Sequence, residues 1–147
     1  MNLLSPKVHG YIDYLADVVL LLSPTIFDLS PLPSNILYTL GTAHLVMNLV
    51  TSYPLGVVRW MRFSTHGAIE VWLSLALVLL PWVAGFTGDV TARNVFVVAG
   101  IGLFLIWTGT NYVDQSAPAE NTIDFGTRAY TDVKHPTLDE PGHRRAI

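Results

Sequence analysis

The 147-residue chain contains no cysteine. That absence removes disulfides, thiolate metal sites and thiol catalysis together. It leaves the redox compartment unread, because a domain in a bilayer needs no disulfides. Charge is scarce as well: Asp, Glu, Lys and Arg make up 13% of the residues, where a soluble domain carries about a quarter. Between Val8 and Tyr112 the only Lys or Arg residues are Arg59, Arg62 and Arg93. A net charge of −3 without a basic, aromatic-interleaved patch gives nucleic-acid binding no support. No Gly-rich phosphate loop, Gly-x-Ser-x-Gly elbow or His-Glu-x-x-His motif is present, so no motif points to a conventional enzyme. The alternation of a membrane barrel strand is missing too, since Val71–Leu80 is apolar but for Ser74. An Ala-x-Ala cleavage signature is also lacking after the first apolar segment, which carries His9, Asp13 and Asp17; that segment is expected to be retained.

What the chain has is apolar length. Hydrophobic residues make up 51% of it, and a membrane-crossing helix needs roughly 20 of them in succession. Four segments qualify: about Val8 to Ile26, Ile36 to Val58, His66 to Phe86, and Asn94 to Val113. Pro6, Pro24, Pro31, Pro33 and Pro81 fall at or near helix ends, where a missing N–H does least harm, and Pro54 kinks or ends the second span. The expected fold is an all-α membrane protein with four transmembrane helices in residues 1–113 and a polar tail over 114–147. Lys7, Arg59 and Arg62 flank one face and Arg93 the other, which by the excess of cytoplasmic cations puts both termini inside, with the protein in the cell's inner membrane.

The segment His9-Gly10-Tyr11-Ile12-Asp13 recurs as His66-Gly67-Ala68-Ile69-Glu70, and each copy runs into an apolar stretch that ends at Pro24 or Pro81. Thr51-Ser52-Tyr53 recurs as Thr110-Asn111-Tyr112 and Gly41 as Gly100. The spans therefore read as two tandem hairpins, repeat 1 over about 8–58 and repeat 2 over about 66–113. Each unit has an even number of crossings, so the copies insert the same way up, about an axis along the membrane normal.

The ends of the first helix in each unit, Leu22-Ser23-Pro24-Thr25 and Leu80-Pro81-Trp82, resemble the signature of the SPW-repeat membrane proteins, which carry a Ser-Pro-Trp motif in the first of two transmembrane helices per repeat. Thr25 stands in place of the tryptophan in the first copy and Leu80 in place of the serine in the second. The resemblance implies a small integral membrane protein and supplies no catalytic residues.

The polar residues of the spans are spaced to share faces. His9, Asp13 and Asp17 lie four apart, as do His66, Glu70 and Ser74, and His44 and Asn48. An ionised side chain at a helix centre costs about 2.5–3.5 kcal/mol on insertion scales, so such groups turn inward and pair. One reading makes the stripe a structural seam in a binding or assembly subunit of a membrane complex, whose partners are the lipid bilayer and other subunits or a second copy. Another makes it a redox site: His9, His44, His66 and Glu70 suit a metal ion, and two of the histidines suit a haem b. A third is a proton or small-solute pathway through Asp13, Asp17 and Glu70. Gly41, Gly100 and Gly102 are read as close-packing points between helices. In the tail, Phe125 and Tyr130 are the expected anchors for a partner.

Overall fold

The computed structural model describes residues 3–112, so Phe125, Tyr130 and the rest of the tail lie outside the described residues. Four long helices account for most of what is described: α1 (Pro6–Ile26), α2 (Pro31–Val50), α3 (Phe63–Val83) and α4 (Val90–Gly109). Two of them, α3 and α4, are long and apolar enough to cross a membrane. The sequences of α1 and α2 are diluted by Asp13 and Asp17, and by Ser34, Asn35, His44 and Asn48.

The helix ends follow from local chemistry. Ser5 caps α1 by accepting from the Val8 N–H, with Pro6 in the first turn, and Asp89 caps α4 by accepting from Ala92. Such caps satisfy N–H groups that have no partner within the helix. The exits of α1 and α3 match each other. Asp28 and Gly85 both adopt positive φ, and the next N–H, of Leu29 or Phe86, reaches back to the carbonyl of Pro24 or Pro81. That is the Schellman closure, completed by a buried apolar side chain at Leu29 and Phe86. Gly85 adopts this backbone without cost; Asp28 does so with a Cβ.

Helix α2 differs from the expected bounds of the second segment. It starts at Pro31, not near Ile36, and ends at Val50, not near Val58. Pro31 and Pro33 are taken up in the first turn, where their missing N–H groups are no loss. Beyond Val50 the apolar run continues as a loop, because Pro54 and Gly56 cannot sustain a helix. That loop holds the only strands among the described residues, a parallel pair of β1 (Thr51–Ser52) with β2 (Met61–Arg62), Thr51 opposite Met61. A parallel bridge of Leu4 with Thr110 ties the chain start to the exit of α4.

Helix α1 packs on α2 and α3 on α4, with a lesser contact of α1 on α4. Gly41 meets Leu20 and Leu21, and a methyl at Gly100 would come within 2.7 Å of the Ser74 carbonyl, so these two glycines are close-packing points. Gly102 is not: nothing lies within 4 Å of where its Cβ would be, and it lines an apolar groove between α1 and α4 with Ile12, Ala16, Leu20 and Leu103. The interior is divided along its length. Toward the α1–α2 and α3–α4 turns it is apolar, filled by Leu20, Leu29, Leu37, Leu77, Phe86 and Phe96. Toward the chain start it is polar, and the large exposed side chains of the helices are apolar instead, among them Leu15, Trp72, Val98 and Leu105.

Candidate functional site

All eight side chains of the expected stripe are inside. His9, Asp13, His66, Glu70 and Asn48 have no exposed surface and Asp17, His44 and Ser74 have 1%. They do not form one continuous line, however. Ser74 donates to the Val71 carbonyl of its own helix and takes no part in the cluster. The other seven form two connected groups.

In the first, the N-terminal turns of α1 and α3 bring their histidines face to face, Nε2 to Nε2 at 3.4 Å. One oxygen of Asp13 lies 2.9 Å from His9 Nε2 and 3.2 Å from His66 Nε2. Glu70 approaches the same nitrogens at 3.7 and 3.9 Å. The pairing expected within one helix turn is thus tight for His9 with Asp13 and loose for His66 with Glu70. The closer partner of His66 comes from the other hairpin, a contact that spacing along one helix does not reveal.

The far nitrogens fix how these rings are protonated. Thr51 gives its hydroxyl proton to the Met47 carbonyl at 2.6 Å, and Thr110 gives its own to Ile106 at 2.7 Å. Each hydroxyl oxygen is then an acceptor, and His66 Nδ1 and His9 Nδ1 lie 3.0 Å from Thr51 and Thr110 respectively. Both Nδ1 atoms therefore carry the proton and donate it. Nε2 of each ring is turned to the centre, free to offer a lone pair when the ring is neutral.

In the second group, from α1 and α2, His44 Nδ1 lies 2.6 Å from one oxygen of Asp17, while Asn48 donates to the other at 2.8 Å. A carboxylate so placed accepts from Nδ1–H, leaving His44 Nε2 as its unengaged nitrogen. That atom has no hydrogen-bond partner among the described residues. Asp13, His44 and His66 offer donor atoms that lie within 4.8 Å of one another, as do His9, His66 and Glu70. The two groups meet at His66.

Two tyrosines complete the wall. Tyr112 donates to Glu70, and its ring covers Gly67; the Tyr53 ring covers Gly10. A Cβ on Gly10 would come within 2.1 Å of Tyr53, and one on Gly67 within 2.6 Å of Tyr112, so only glycine lets these rings lie against the helices. Tyr53 and Tyr112 stand at the ends of the second and fourth apolar segments, where a sequence reading expects interfacial rings. The signal for their true place is that each closes the recurring Thr-x-Tyr triplet, whose threonine already touches a histidine. Phe63, stacked on Tyr53 with centroids 5.8 Å apart, packs edge-on to His9 at 5.3 Å. With Asp13 bridging His9 and His66 and aromatic rings filling their flanks, no planar slot for a porphyrin separates them. The haem expectation is set aside for this pair on grounds of packing.

Several polar atoms of the centre are left over. Both Asp13 oxygens, Glu70 Oε1, Asn48 Oδ1 and His44 Nε2 are buried without a hydrogen bond. Asp13 is close to two ring nitrogens, and in the tautomer that the threonines set, each presents a lone pair to it. At the opposite end of the bundle, half-buried Asp89 is different. The Ala92 N–H and then the Ser30 hydroxyl hold its carboxyl below the usual range. Comparison with known proteins adds no relative: no family model, no curated protein and no solved structure matches the chain.

Proposed function

We propose that the chain is a four-span integral membrane protein of two tandem hairpins, with both termini cytoplasmic. In this reading it is a ligand-binding subunit of a membrane assembly, and its working part is the buried His/carboxylate centre. The observation that carries the reading is Asp13: a fully buried carboxylate between two imidazoles, with neither oxygen hydrogen-bonded. Polar groups that merely join helices are satisfied by their partners. A carboxylate with spare acceptors among inward-turned ring nitrogens is a place for something else to bind.

The membrane half of the reading rests on the inverted distribution of side chains. Trp72 and Val98 are 72% and 69% exposed, while His9, Asp13 and Glu70 are fully buried. Burial of apolar surface is the main force that folds a protein in water, and such outer faces would forfeit it there. In hydrocarbon they cost nothing, and the ionisable groups must turn inward.

Support for a repeat comes from contacts that occur twice. Thr51 holds His66 as Thr110 holds His9, and Tyr53 covers Gly10 as Tyr112 covers Gly67. Two further contacts join residues to their own counterparts. His9 meets His66, fifty-seven residues on, and Ser30 donates to Asp89, fifty-nine residues on. Self-pairing of this kind is what positions on a two-fold axis do. Membership of the SPW-repeat family is part of the same proposal, resting on Ser23-Pro24 and Pro81-Trp82.

A binding site fits better than a conduit. The ionisable groups stop at Asp17 and His44, and beyond them Leu20, Leu37, Leu77 and Phe96 fill the bundle. The test has two arms. The full chain should stay with the membrane through an alkaline carbonate wash, and its release into the supernatant contradicts the membrane arm. Native mass spectrometry of the gently purified protein should show mass above that of the chain, lost in Asp13→Asn. A bare chain mass for the wild type contradicts the binding arm.

A further inference from the structure

Resting on the reading of this centre as a binding site, we infer that its ligand is a single divalent first-row transition-metal ion, iron or manganese before zinc. The donors are His9 Nε2, His66 Nε2, Asp13 and Glu70, with His44 beside Asp13 and His66 at the edge of the site.

The spacing of the donors favours a metal ion over a hydrogen-bond network. Bonds of about 2.0–2.2 Å from one metal, meeting at angles between tetrahedral and octahedral, put neighbouring donor atoms roughly 2.8–3.6 Å apart. The edges here are 2.9 Å for His9 to Asp13, 3.2 Å for His66 to Asp13 and 3.4 Å for His9 to His66. Glu70, at 3.7 and 3.9 Å from the two histidines, stands slightly outside, with one oxygen held by Tyr112 and the other unpartnered. A carboxylate oxygen this close to two ring nitrogens and hydrogen-bonded to neither is aimed at a point they share. Asp13 is that case.

The support behind the donors is of the kind metal sites use. A ligating histidine nearly always donates its other N–H to a carboxylate or oxygen, which sets the tautomer and the ring angle. All three histidines do so: His9 to Thr110, His66 to Thr51 and His44 to Asp17. A bare pair of facing imidazoles needs no such arrangement.

The donor set narrows the metal. With no cysteine in the chain, thiolate-preferring Cu(I) and iron–sulfur clusters have no ligands. Structural zinc is held by cysteine and histidine sets, and two imidazoles with two carboxylates suit Fe(II) or Mn(II) better. The centre is also asymmetric. The position matching His44 in the second hairpin is Leu103, so the third histidine comes from one side only.

Titration of chelator-treated, tag-free full-length protein in detergent with Co(II) as the probe tests the site. About one equivalent should bind and give a visible d–d spectrum, lost in His66→Ala and Asp13→Asn and kept in Ser74→Ala. Competition by Fe(II), Mn(II) and Zn(II) then ranks the metals. Helical, monodisperse wild type that takes up no Co(II) overturns the inference. So does uptake that persists in both ligand variants, or that vanishes only when His135 and His143 of the tail are replaced. Should the ligand variants fail to fold, Thr51→Val decides: affinity should fall about 10–100-fold, recover in Thr51→Ser, and an unchanged affinity overturns the site. If the native mass excess proves organic and metal-free, the metal is wrong while the binding site stands.

Discussion

Thr51 and His66 are joined at 3.0 Å by a bond whose direction is set one step away, because the Thr51 proton is already committed to the Met47 carbonyl. Thr110 and His9 repeat the arrangement at the same distance. Replacing either threonine by valine keeps the shape and strands a buried Nδ1–H, which costs about 1–3 kcal/mol. The two variants should therefore lose similar thermal stability in detergent. A large loss for one and none for the other would contradict the equivalence of the two sites.

The glycines under the tyrosines give a second comparison. Gly10→Ala and Gly67→Ala force Tyr53 and Tyr112 outward, and overpacking of this kind costs about 1–3 kcal/mol. Gly102→Ala meets open space, and in a helix the change from glycine to alanine should stabilise by about 0.5–1 kcal/mol. Thermal unfolding of the three variants side by side checks the order.

His44 is predicted to be indispensable alone and dispensable in company. His44→Leu leaves Asp17 buried with Asn48 as its one remaining partner, and breaking a buried pair from one side costs about 3–5 kcal/mol. The double variant His44→Leu/Asp17→Ser copies Leu103 and Ser74 of the other hairpin and should regain most of that loss. The stability of the double variant, measured against the single one, is the check.

Asp89 supplies a pH dependence of known sign. Its carboxyl is held below the usual range by the Ala92 N–H and the Ser30 hydroxyl. The contribution to stability is complete above the ordinary carboxyl pKa and is lost as pH falls through the lowered folded value. Asp89→Ala should cost about 1 kcal/mol at neutral pH, as loss of a helix cap does. Asp89→Asn should retain most of the cap and flatten this part of the acid limb in thermal scans between pH 6 and 3.

The parts of this architecture that follow from periodicity along one segment were legible. Apolar runs marked four helices, and four-residue spacing identified which side chains would turn inward, from His9 to Glu70. The start of α2 was misread because Pro31 and Pro33 look like loop residues, although a first turn accepts them. Its end was misread because Tyr53, Leu55, Val57 and Val58 continue the apolar run past the last helical residue. Contacts between hairpins were out of reach. Nothing in the spacing of α1 says that Asp13 serves His66, or that Tyr112 reaches Glu70 only because residue 67 lacks a side chain. Those depend on how closely two helices approach, which is decided by packing.

In the proposed bilayer arrangement the four helices turn their oily faces to lipid and their ionisable groups to each other. With no native cysteine, single-cysteine variants at Trp72, Val98 and Ser74 can each carry one spin label in proteoliposomes, and collision with oxygen can be compared with collision with a water-soluble nickel chelate. Oxygen collision rates should be high and nickel collision rates low at 72 and 98, with little of either at 74. Labels at 72 and 98 that meet the nickel chelate as freely as a solvent-exposed residue would contradict the arrangement.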